Sequence, residues 1–368
     1  MKKIFSALLI ILTLCSCQKQ YNTDLKKNQP KDTEIRAVWI FYDEISMLNY
    51  KNPTEKDFTD KITAMLDKCT QYNINTVFIQ VRPFCDAMYD SEIFPSSYYL
   101  TGEQGKKAEF DALKICVEQS HIRNIKIHAW INPFRIMYNS KKFEISESNP
   151  CYDWINNDSG NIIKTDEGYF MCPASHEVQK LVIDGIHEIA ENYDVDGIHI
   201  DDYFYPTTQK SADEIFYADY IKSGGELELY DWRRANISAL VGAMYSAVKS
   251  IKPDCIFSIS PQGNIDNNKN SQYADVEEWC SHSGFADWII PQVYYSLDNS
   301  VLPFKTAVDK WEKISTDSAK LIWGLAGYKV GNEFDITEFE KQTEYIKNKG
   351  SYCGYAIFSY SHLDKLFP

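Results

Sequence analysis

Short apolar runs alternate with segments of helical period from residue 35 to the end of the chain. The apolar runs are rich in β-branched and aromatic residues, which is typical of strands, whereas the longer amphipathic segments between them are typical of helices. We predict strands at 35–42, 76–83, 126–133, 197–204, 256–262, 287–294, 321–327 and 354–360, and helices at 55–71, 109–122, 175–192, 231–250, 272–282, 303–315 and 336–348. This alternation indicates parallel strands joined by helical crossovers, and therefore an α/β fold.

Eight such units fit a closed (β/α)8 TIM barrel over residues 34–368. Two connections are long, namely 134–174 after the third strand and 205–230 after the fourth. Barrel enzymes build their clefts from loops at this end of the strands. An open doubly wound sheet is the alternative, but it usually carries a Gly-rich phosphate loop after its first strand, and no such loop follows residue 42.

The period-two pattern also predicts which strand side chains point into the barrel. Apolar residues of the strands should pack against the helices, which leaves the alternate residues facing inward. Near the carboxyl ends of the strands this inward set is polar, which a bound ligand explains better than stability does. It comprises Gln80, Arg82, His128, Trp130, Asn132, His199, Asp201, Ser258, Ser260, Gln262, Gln292 and Tyr294.

The start of the chain predicts export. Two lysines precede an apolar run over 4–14, which is too short to span a bilayer and fits a signal peptide. The run ends in Leu-Cys-Ser-Cys, which resembles a bacterial lipobox and implies cleavage before a lipidated Cys17. We therefore expect a lipoprotein signal at 1–16 and a flexible polar tether at 17–33. An ordinary secretory signal is the alternative.

Composition narrows the class of protein. Hydrophobic residues make up 44% and charged residues 24% of the chain, a balance that indicates a globular protein and excludes a disordered or polytopic membrane protein. The 38 basic and 52 acidic residues give a net charge of −14, which argues against nucleic-acid binding. Aromatic residues reach 14%, and both sugar-binding clefts and ordinary cores use such flat apolar groups.

No motif predicts a metal or another cofactor. The cysteines form no Cys-x-x-Cys pair, and no His-Glu-x-x-His motif is present. A serine hydrolase is not expected, since the Gly-x-Ser-x-Gly elbow is missing. Disulfides are compatible with export, but the irregular cysteine spacing gives no connectivity.

Seven segments of the chain resemble the glycosyl hydrolase-like 10 family. They are EIRAVWI (34–40), FIQVRPFCDAMYDSEIFPSSYYLTG (78–102), HAWINPFR (128–135), DVDGIHIDDYFYP (194–206), SISPQGN (258–264), DWIIPQVYY (287–295) and GYAIFSYSHL (354–363). The resemblance extends over nearly the whole chain after residue 34. It implies a TIM-barrel glycoside hydrolase of the bacterial envelope, and one branch of the family acts on peptidoglycan strands from which the peptides have been removed.

Glycoside hydrolysis usually requires two carboxyl groups, one of which protonates the leaving oxygen. Asp201 is the first candidate, as nucleophile or base, because it points inward at the end of the fourth strand. Asp202 is a candidate acid, with ordering of its loop as the alternative role. Asp86, in the loop after the second strand, is the other candidate acid, and its alternative role is to brace that loop through Arg82.

Polar and aromatic residues at the same rim are candidate substrate-binding groups. Arginine suits a hydroxyl or carboxylate, amides suit pairs of hydroxyls, and aromatic rings suit sugar faces, although each ring has plain packing as its alternative. For the histidine, a satisfied position in a barrel layer is the alternative. The candidates are Arg82, Gln80, Trp130, Asn132, His199, Tyr203, Tyr205, Gln262, Asn264, Gln292 and Tyr294.

Together these features predict a glycoside hydrolase that cleaves β-linked envelope glycan, with peptidoglycan strands as the expected substrate. The lipid at Cys17 would place it on the bacterial outer membrane, and the absence of an acidic run directly after Cys17 favours the periplasmic face. Two alternatives remain. One is a non-catalytic glycan-binding lipoprotein on the same barrel, and the other is a hydrolase of an exogenous polysaccharide.

Overall fold

The computed structural model describes residues 34–140, 143–157 and 159–367. The predicted signal, the predicted lipidation site Cys17 and the tether lie outside these residues. The strands of the described residues are β1 Ile35–Ile40, β2 Thr76–Arg82, β3 Lys126–Ile131, β4 Arg135–Tyr138, β5 Ile162–Lys164, β6 Gly168–Met171, β7 Gly197–Ile200, β8 Ile256–Ile259, β9 Trp288–Ile289, β10 Lys320–Leu321, β11 Trp323–Ala326 and β12 Gly354–Phe358.

Thirteen α-helices accompany the strands in the part of the chain that the structure describes. They are α1 Tyr42–Ile45, α2 Glu55–Gln71, α3 Tyr98–Thr101, α4 Ala112–Ile122, α5 Tyr152–Asn156, α6 His176–Asn192, α7 Glu214–Lys222, α8 Leu229–Ile251, α9 Ile265–Ser271, α10 Val276–Ser281, α11 Phe304–Ile314, α12 Ile336–Lys347 and α13 Leu363–Leu366. Short 3₁₀ turns cover Lys210–Ala212, Gly327–Lys329 and Tyr360–His362. No helix of the described residues is both long and apolar enough to cross a bilayer.

Nine strands form one parallel sheet in the order β10-β9-β8-β7-β3-β2-β1-β12-β11. The two ends of this sheet meet because β10 and β11, which lie on either side of Ile322, form a single strand position, or stave, of the barrel. The Ile322 N–H donates to the Ile289 carbonyl, and the Gly324 N–H donates to the Pro291 carbonyl, each at 3.0 Å. A Cβ on Gly324 would lie 2.8 Å from the Pro291 oxygen, so glycine permits this close approach. The predicted TIM barrel is confirmed as a nearly closed, eight-stave barrel.

The outer helices form where the sequence pairs a cap with an apolar stripe. Thr54 caps α2 by accepting from the Asp57 N–H, and Ser175 caps α6 by accepting from the Val178 N–H. The buried residues of α6 recur at helical spacing, with Val178, Val182, Ile186 and Ile189 facing the barrel. Truncating one of them, such as Ile186→Ala, would cost about 2–5 kcal/mol of stability.

A layer of aromatic side chains fills the barrel interior. Trp39, Phe78, Trp130 and Trp288 pack there with Ile290 and Ile322 in one buried cluster. Because these side chains fill the barrel interior, a ligand can bind only at the rim of the barrel.

Both long connections follow strand carboxyl ends, as predicted. After β3 the chain forms α5 and a small antiparallel sheet in the order β4-β6-β5. After β7 it forms a 3₁₀ turn and α7 before the long helix α8. The predicted helix at 272–282 differs from the structure, where α9 and α10 are separate helices. The first connection forms part of the cavity described next.

Candidate active site

A cavity of about 450 Å³ opens where the barrel strands end. Its volume and mixed lining are typical of a small-ligand site. Two acidic residues and one basic residue line it together with amide and aromatic side chains. These are Asp201, Asp202 and Arg135, with Gln80, Ser260, Gln292, Trp39, Phe41, Tyr42, Trp130, Tyr138, Tyr203, Tyr294, Tyr328 and Phe358.

Asp201 is held at the end of β7 by donors from β3. The Asn132 amide nitrogen lies 3.0 and 3.2 Å from its two oxygens, and the Trp130 indole nitrogen lies 3.2 Å from Oδ2. Burial raises the pKa of the Asp201 carboxyl, while the charge of Arg135 and these hydrogen bonds act in the opposite direction. All of its side-chain partners are donors, which favours the ionised form.

Asp202 lies beside Asp201 and differs from it in its environment. Its Oδ1 accepts a hydrogen bond of 3.3 Å from the Gln292 amide, and Gln262 is a second side-chain partner. Burial, followed by the charge of Asp201, raises the pKa of Asp202 to about 7. Because the charge of one carboxyl opposes ionisation of the other, this pair favours a state with a single proton near neutral pH.

Arg135 supplies the positive charge of the cavity. Its Nε donates to the Pro83 carbonyl at 2.8 Å, and its Nη1 donates to the Tyr138 hydroxyl at 2.6 Å. The guanidinium also lies 5.1, 4.6 and 4.8 Å from the ring centres of Phe84, Tyr138 and Tyr203, within cation–π range. These contacts fix the charge near Asp201 without an internal salt bridge among the described residues.

Aromatic residues form the wall that faces Asp201 and Asp202. Phe358 ends β12, the stave opposite β7 in the strand order. Its ring centre lies 6.0 Å from Phe41 and 6.2 Å from both Tyr294 and Tyr328. Rings of this kind present flat apolar faces to a sugar.

Several predicted binding residues lie at the cavity or directly behind it. Trp130, Tyr203, Gln292 and Tyr294 line it, and so does Gln80, whose Oε1 accepts from the Tyr42 N–H at 3.3 Å. Asn132 and Gln262 contact the two aspartates as described above.

His199 is buried below the cavity. Its Nε2 lies 3.0 Å from the Trp39 indole nitrogen and its Nδ1 lies 2.8 Å from the Ser258 hydroxyl. Because the indole can only donate, Nε2 accepts, and the ring proton sits on Nδ1. Burial lowers the pKa of His199 well below its usual value, so this histidine is neutral. It supports the floor of the cavity.

The prediction that Arg82 faces the barrel interior is wrong. The β2–β3 register shifts between Gln80 and Arg82, and this bulge turns Arg82 away from the cavity. Its guanidinium lies 4.6 Å from the Phe94 ring, and a Cβ on Gly185 of α6 would lie 3.9 Å from it. Arg82 is therefore buried between the barrel and α6.

Asp86 also lies outside the cavity lining. Its Oδ2 accepts from the Tyr98 N–H at 3.2 Å and from the Gln104 amide at 3.1 Å. Burial raises the pKa of Asp86 to about 6. The carboxyl braces the loop after β2, which is the alternative role considered for it.

Two further predicted residues have structural contacts in place of cavity contacts. Asn264 caps α9, accepting from the N–H groups of Asp266 and Asn267 at 2.9 and 3.3 Å. Tyr205 is buried, and its hydroxyl donates to Asp213 at 2.9 Å. Neither side chain lines the cavity, because both residues lie beyond the regular strands, where alternation no longer fixes direction.

Sequence reasoning missed Arg135 and part of the aromatic wall. Arg135 stands directly after Ile-Asn-Pro-Phe at the end of the third strand, so its position at a strand end was a usable signal. Trp39 lies in the first strand, Phe41 directly follows it, and Phe358 ends the last strand. Their apolar character made them indistinguishable from core residues.

A larger groove of about 1170 Å³ runs along the side of the barrel. It lies between the loop after β2 and α6, and it is lined by residues such as Tyr89, Asp111 and Glu188. The Glu188 carboxylate accepts hydrogen bonds there from the Ser91 hydroxyl and the Glu92 N–H, both at 2.6 Å. None of the predicted site residues lines this groove.

Comparisons with known proteins identify the family to which this barrel belongs. Residues 34–342 match the family model described as glycosyl hydrolase-like 10, so the chain belongs to that family. It is 32% identical to the glycosyl hydrolase YngK of Bacillus subtilis, over 87% of this chain and 66% of that protein, so it spans slightly less than two thirds of this relative. It is 28% identical to the glycosyl hydrolase DigH of Escherichia coli K12, over 97% of this chain and 92% of that protein.

Solved structures support the fold. The glycoside hydrolase domain of PgaB from Bordetella bronchiseptica aligns with a TM-score of 0.64 at 13% identity, covering 89% of this chain and 94% of that one. The catalytic domain of a β-amylase from Paenibacillus polymyxa aligns with a TM-score of 0.61 at 11% identity, over 91% and 94% of the two chains. At these identities the likeness concerns the barrel alone.

Proposed function

We propose that this protein hydrolyses glycosidic bonds in peptidoglycan strands, with Asp202 as the general acid and Asp201 as its ionised partner. The observation that carries the proposal is the adjacent pair itself. Asp201 and Asp202 both line a cavity of about 450 Å³ whose opposite wall is aromatic, and the charge of Asp201 contributes to the raised pKa of Asp202. A proton donor with a pKa of about 7 is suited to protonate a leaving oxygen near neutral pH.

The roles of the two carboxyls follow from their partners. Asp201 accepts from Asn132 and Trp130 and lies near Arg135, so it stays negative and stabilises positive charge that develops at the anomeric carbon. Burial and the charge of Asp201 raise the pKa of Asp202, so Asp202 keeps the proton that the leaving oxygen needs. Environments that give two neighbouring carboxyls different pKa values are the usual basis for assigning the acid and the base.

Peptidoglycan is proposed as the substrate because of the family membership together with the predicted export signal. A lipid on Cys17 would hold the barrel at the outer membrane, where it would face the periplasm and its glycan. This proposal predicts that the full chain incorporates a fatty acid label and sediments with membranes. Cys17→Ser should lose both properties, and a Cys17→Ser variant that is still acylated would contradict the anchor.

The direct test is digestion of purified peptidoglycan, with and without its stem peptides, by the detergent-solubilised full chain. Mass spectrometry should detect new reducing-end fragments, and the preferred form of the glycan would define the substrate. Asp202→Asn should lower the rate about 10²–10⁴-fold, the usual contribution of a general acid. A matched control is Asp194→Asn, which changes an exposed aspartate three residues before β7.

The outcomes separate the alternatives. Retention of the glycan without any product would favour a glycan-binding protein on the same barrel. Neither binding nor product would direct the search to an exogenous polysaccharide. Wild-type rates in both Asp201→Asn and Asp202→Asn would contradict the assigned site.

A further inference from the structure

The two carboxyls of the cavity are consecutive residues on one wall. Within residues 34–140, 143–157 and 159–367, Asp201 and Asp202 are the only acidic side chains that line it. The stave opposite them ends in Phe358, with Tyr328, Tyr294 and Phe41 beside it. The side of the cavity opposite β7 thus carries aromatic rings and, among the described residues, no acidic side chain.

Glu44 contacts the loops that carry Phe41 and Phe358, but its oxygens are already engaged. Oε2 accepts from the Phe41 N–H at 3.0 Å. Oε1 accepts from the Ser359 hydroxyl at 2.9 Å and from the Ser361 N–H at 2.8 Å. Glu44 therefore fastens the loops after β1 and β12, and it does not face the cavity.

The two common mechanisms require carboxyls on both sides of the scissile bond. A retaining glycosidase uses a nucleophile and an acid about 5 Å apart, and an inverting one uses a base and an acid about 6.5–9.5 Å apart with water between them. Both place one group behind the anomeric carbon and the other beside the leaving oxygen. Asp201 and Asp202 both follow β7, and no other acidic side chain of the described residues lines the cavity, so the substrate itself is the candidate source of the group behind the anomeric carbon.

We propose that the substrate supplies it: the sugar cleaved by Asp201 and Asp202 carries a 2-acetamido group, and the carbonyl oxygen of that group is the nucleophile. This inference rests on the proposed function and adds a mechanism to it. Substrate assistance of this kind is a known exception to the two-carboxyl rule.

The first step forms a bond from the acetamido oxygen to the anomeric carbon and breaks the glycosidic C–O bond. The electron pair of the broken bond goes to the leaving oxygen, which takes the proton of Asp202. The acetamido group becomes a cyclic oxazolinium, and Asp201 accepts a hydrogen bond from its N–H and stabilises its positive charge. Asn132 and Trp130 hold the Asp201 carboxylate for this role.

The second step returns every group to its starting form. Water attacks the anomeric carbon from the side of the departed sugar and gives its proton to the Asp202 carboxylate. The bond from the anomeric carbon to the acetamido oxygen breaks, and its electron pair restores the amide. Each step inverts the configuration at the anomeric carbon, so the product retains the configuration of the substrate. Overall, one water molecule hydrolyses one glycosidic bond and two hydroxyl groups result.

The first measurement is the anomer of the fresh product, read by proton NMR during digestion of peptidoglycan strands by the wild-type full chain. Retention is expected. The second is inhibition by the thiazoline of N-acetylglucosamine, a stable analogue of the cyclic intermediate. It should bind at least about 100-fold more tightly than N-acetylglucosamine itself, as expected for an analogue of a high-energy species. Inversion of the product, or equal binding of the two compounds, would overturn the inference.

A variant separates this mechanism from one in which Asp201 is itself the nucleophile. With a nucleophilic carboxylate removed, as in Asp201→Ala, added azide fills the space and yields a glycosyl azide of inverted configuration. Substrate assistance predicts a rate about 10²–10³-fold below wild type that azide does not restore. Azide rescue with inversion would identify Asp201 as the nucleophile.

The circular dichroism spectrum of Asp201→Ala, compared with those of the wild type and Asp194→Asn, shows whether this variant is folded, and the wild-type measurements remain decisive if it is not. Failure of the proposed function has a different signature. If the wild type cleaved no form of the glycan, the proposed hydrolase function would be contradicted. Cleavage with inversion would contradict only the acetamido mechanism and would leave the hydrolase function standing.

Discussion

Two clusters of aspartate, arginine and tyrosine draw their aspartates from the chain after strand β7, and they have opposite characters. The cavity cluster is Asp201, Asp202 and Arg135 with the tyrosines beside them. The loop cluster is Asp213, Arg233, Tyr205 and Tyr273 in the connection to α8 and beyond it. The residue types are the same in both, so the difference lies in how completely each cluster satisfies itself.

The loop cluster is closed. Arg233 donates to the two oxygens of Asp213 from Nε and Nη2 at 2.8 and 2.6 Å, and its Nη1 donates to Tyr273 at 3.0 Å. Tyr205 donates to the same carboxylate at 2.9 Å. Both charged side chains are fully buried. With all charges paired internally, this cluster has nothing left to offer a ligand, and its role is structural.

The cavity cluster is open. Among the described residues no ion pair joins Arg135 to Asp201 or Asp202, and both aspartates face a cavity. Burial leaves their charges poorly solvated, so the pKa of Asp202 rises to about 7. Incomplete satisfaction of this kind is costly for folding, and it is expected where a substrate completes the contacts.

The largest effect that distinguishes the clusters should be on activity. Asp202→Asn is expected to lower kcat/KM about 10²–10⁴-fold because the amide has no proton to give to the leaving oxygen. The same change should leave the melting temperature equal or higher, since it removes a poorly solvated carboxyl beside another. Product assays and thermal unfolding on one preparation check both. A destabilised Asp202→Asn would show that the cavity cluster is structural too.

The second effect is on stability, and it belongs to the loop cluster. Asp213→Asn leaves Arg233 buried without its charge partner, which should cost about 3–5 kcal/mol of unfolding free energy. Urea unfolding measures the loss. Activity per folded molecule should remain near wild type, because Asp213 is not part of the cavity lining. A large loss of activity in the folded fraction would break the distinction between the clusters.

The barrel was predictable from sequence because it depends on features that repeat. Each stave has an apolar outward face, and each helix has an apolar stripe, so periodicity locates them. The same alternation directed Trp130, Asn132, Asp201 and Gln292 to the cavity. It holds only while the strand is regular.

The errors in the candidate site have local causes. A bulge between Gln80 and Arg82 reverses the direction of Arg82, and periodicity contains no signal for it. Tyr203 and Tyr205 lie beyond the end of β7, so only the packing of the following connection decides that Tyr203 reaches the cavity and Tyr205 reaches Asp213. Sequence identifies the residue types of a site, whereas long-range packing decides in which cluster the charged groups remain available to a ligand.

A third prediction concerns pH. Because the acid form of Asp202 is required, kcat/KM should fall about tenfold per pH unit above a pKa of about 7, the value that burial and Asp201 give this group. The folded pKa lies above the ordinary 3.8, so the stability that Asp202 contributes is complete below about pH 4 and is lost as the pH rises through about 7.

Asp202→Asn should remove this dependence of stability on pH, whereas Asp194→Asn should preserve it. Unfolding free energies at pH 4, 5.5, 7 and 8.5 would provide the comparison. Equal slopes in wild type and Asp202→Asn would mean that Asp202 ionises normally and is not the proton donor.

The smallest effects should come from two tyrosines that are only two residues apart. Tyr205→Phe removes a hydrogen bond to the Asp213 carboxylate and should cost about 1.5–3 kcal/mol of stability, with activity per folded molecule unchanged. Tyr203→Ala removes an aromatic face that lies 38% exposed at the cavity and 4.8 Å from Arg135. It should raise KM about 2- to 10-fold, corresponding to an aromatic contact of about 0.5–1.5 kcal/mol, with little change in melting temperature. If Tyr205→Phe changed KM or Tyr203→Ala mainly lowered stability, the boundary between the open and closed clusters would have to be drawn elsewhere along this connection.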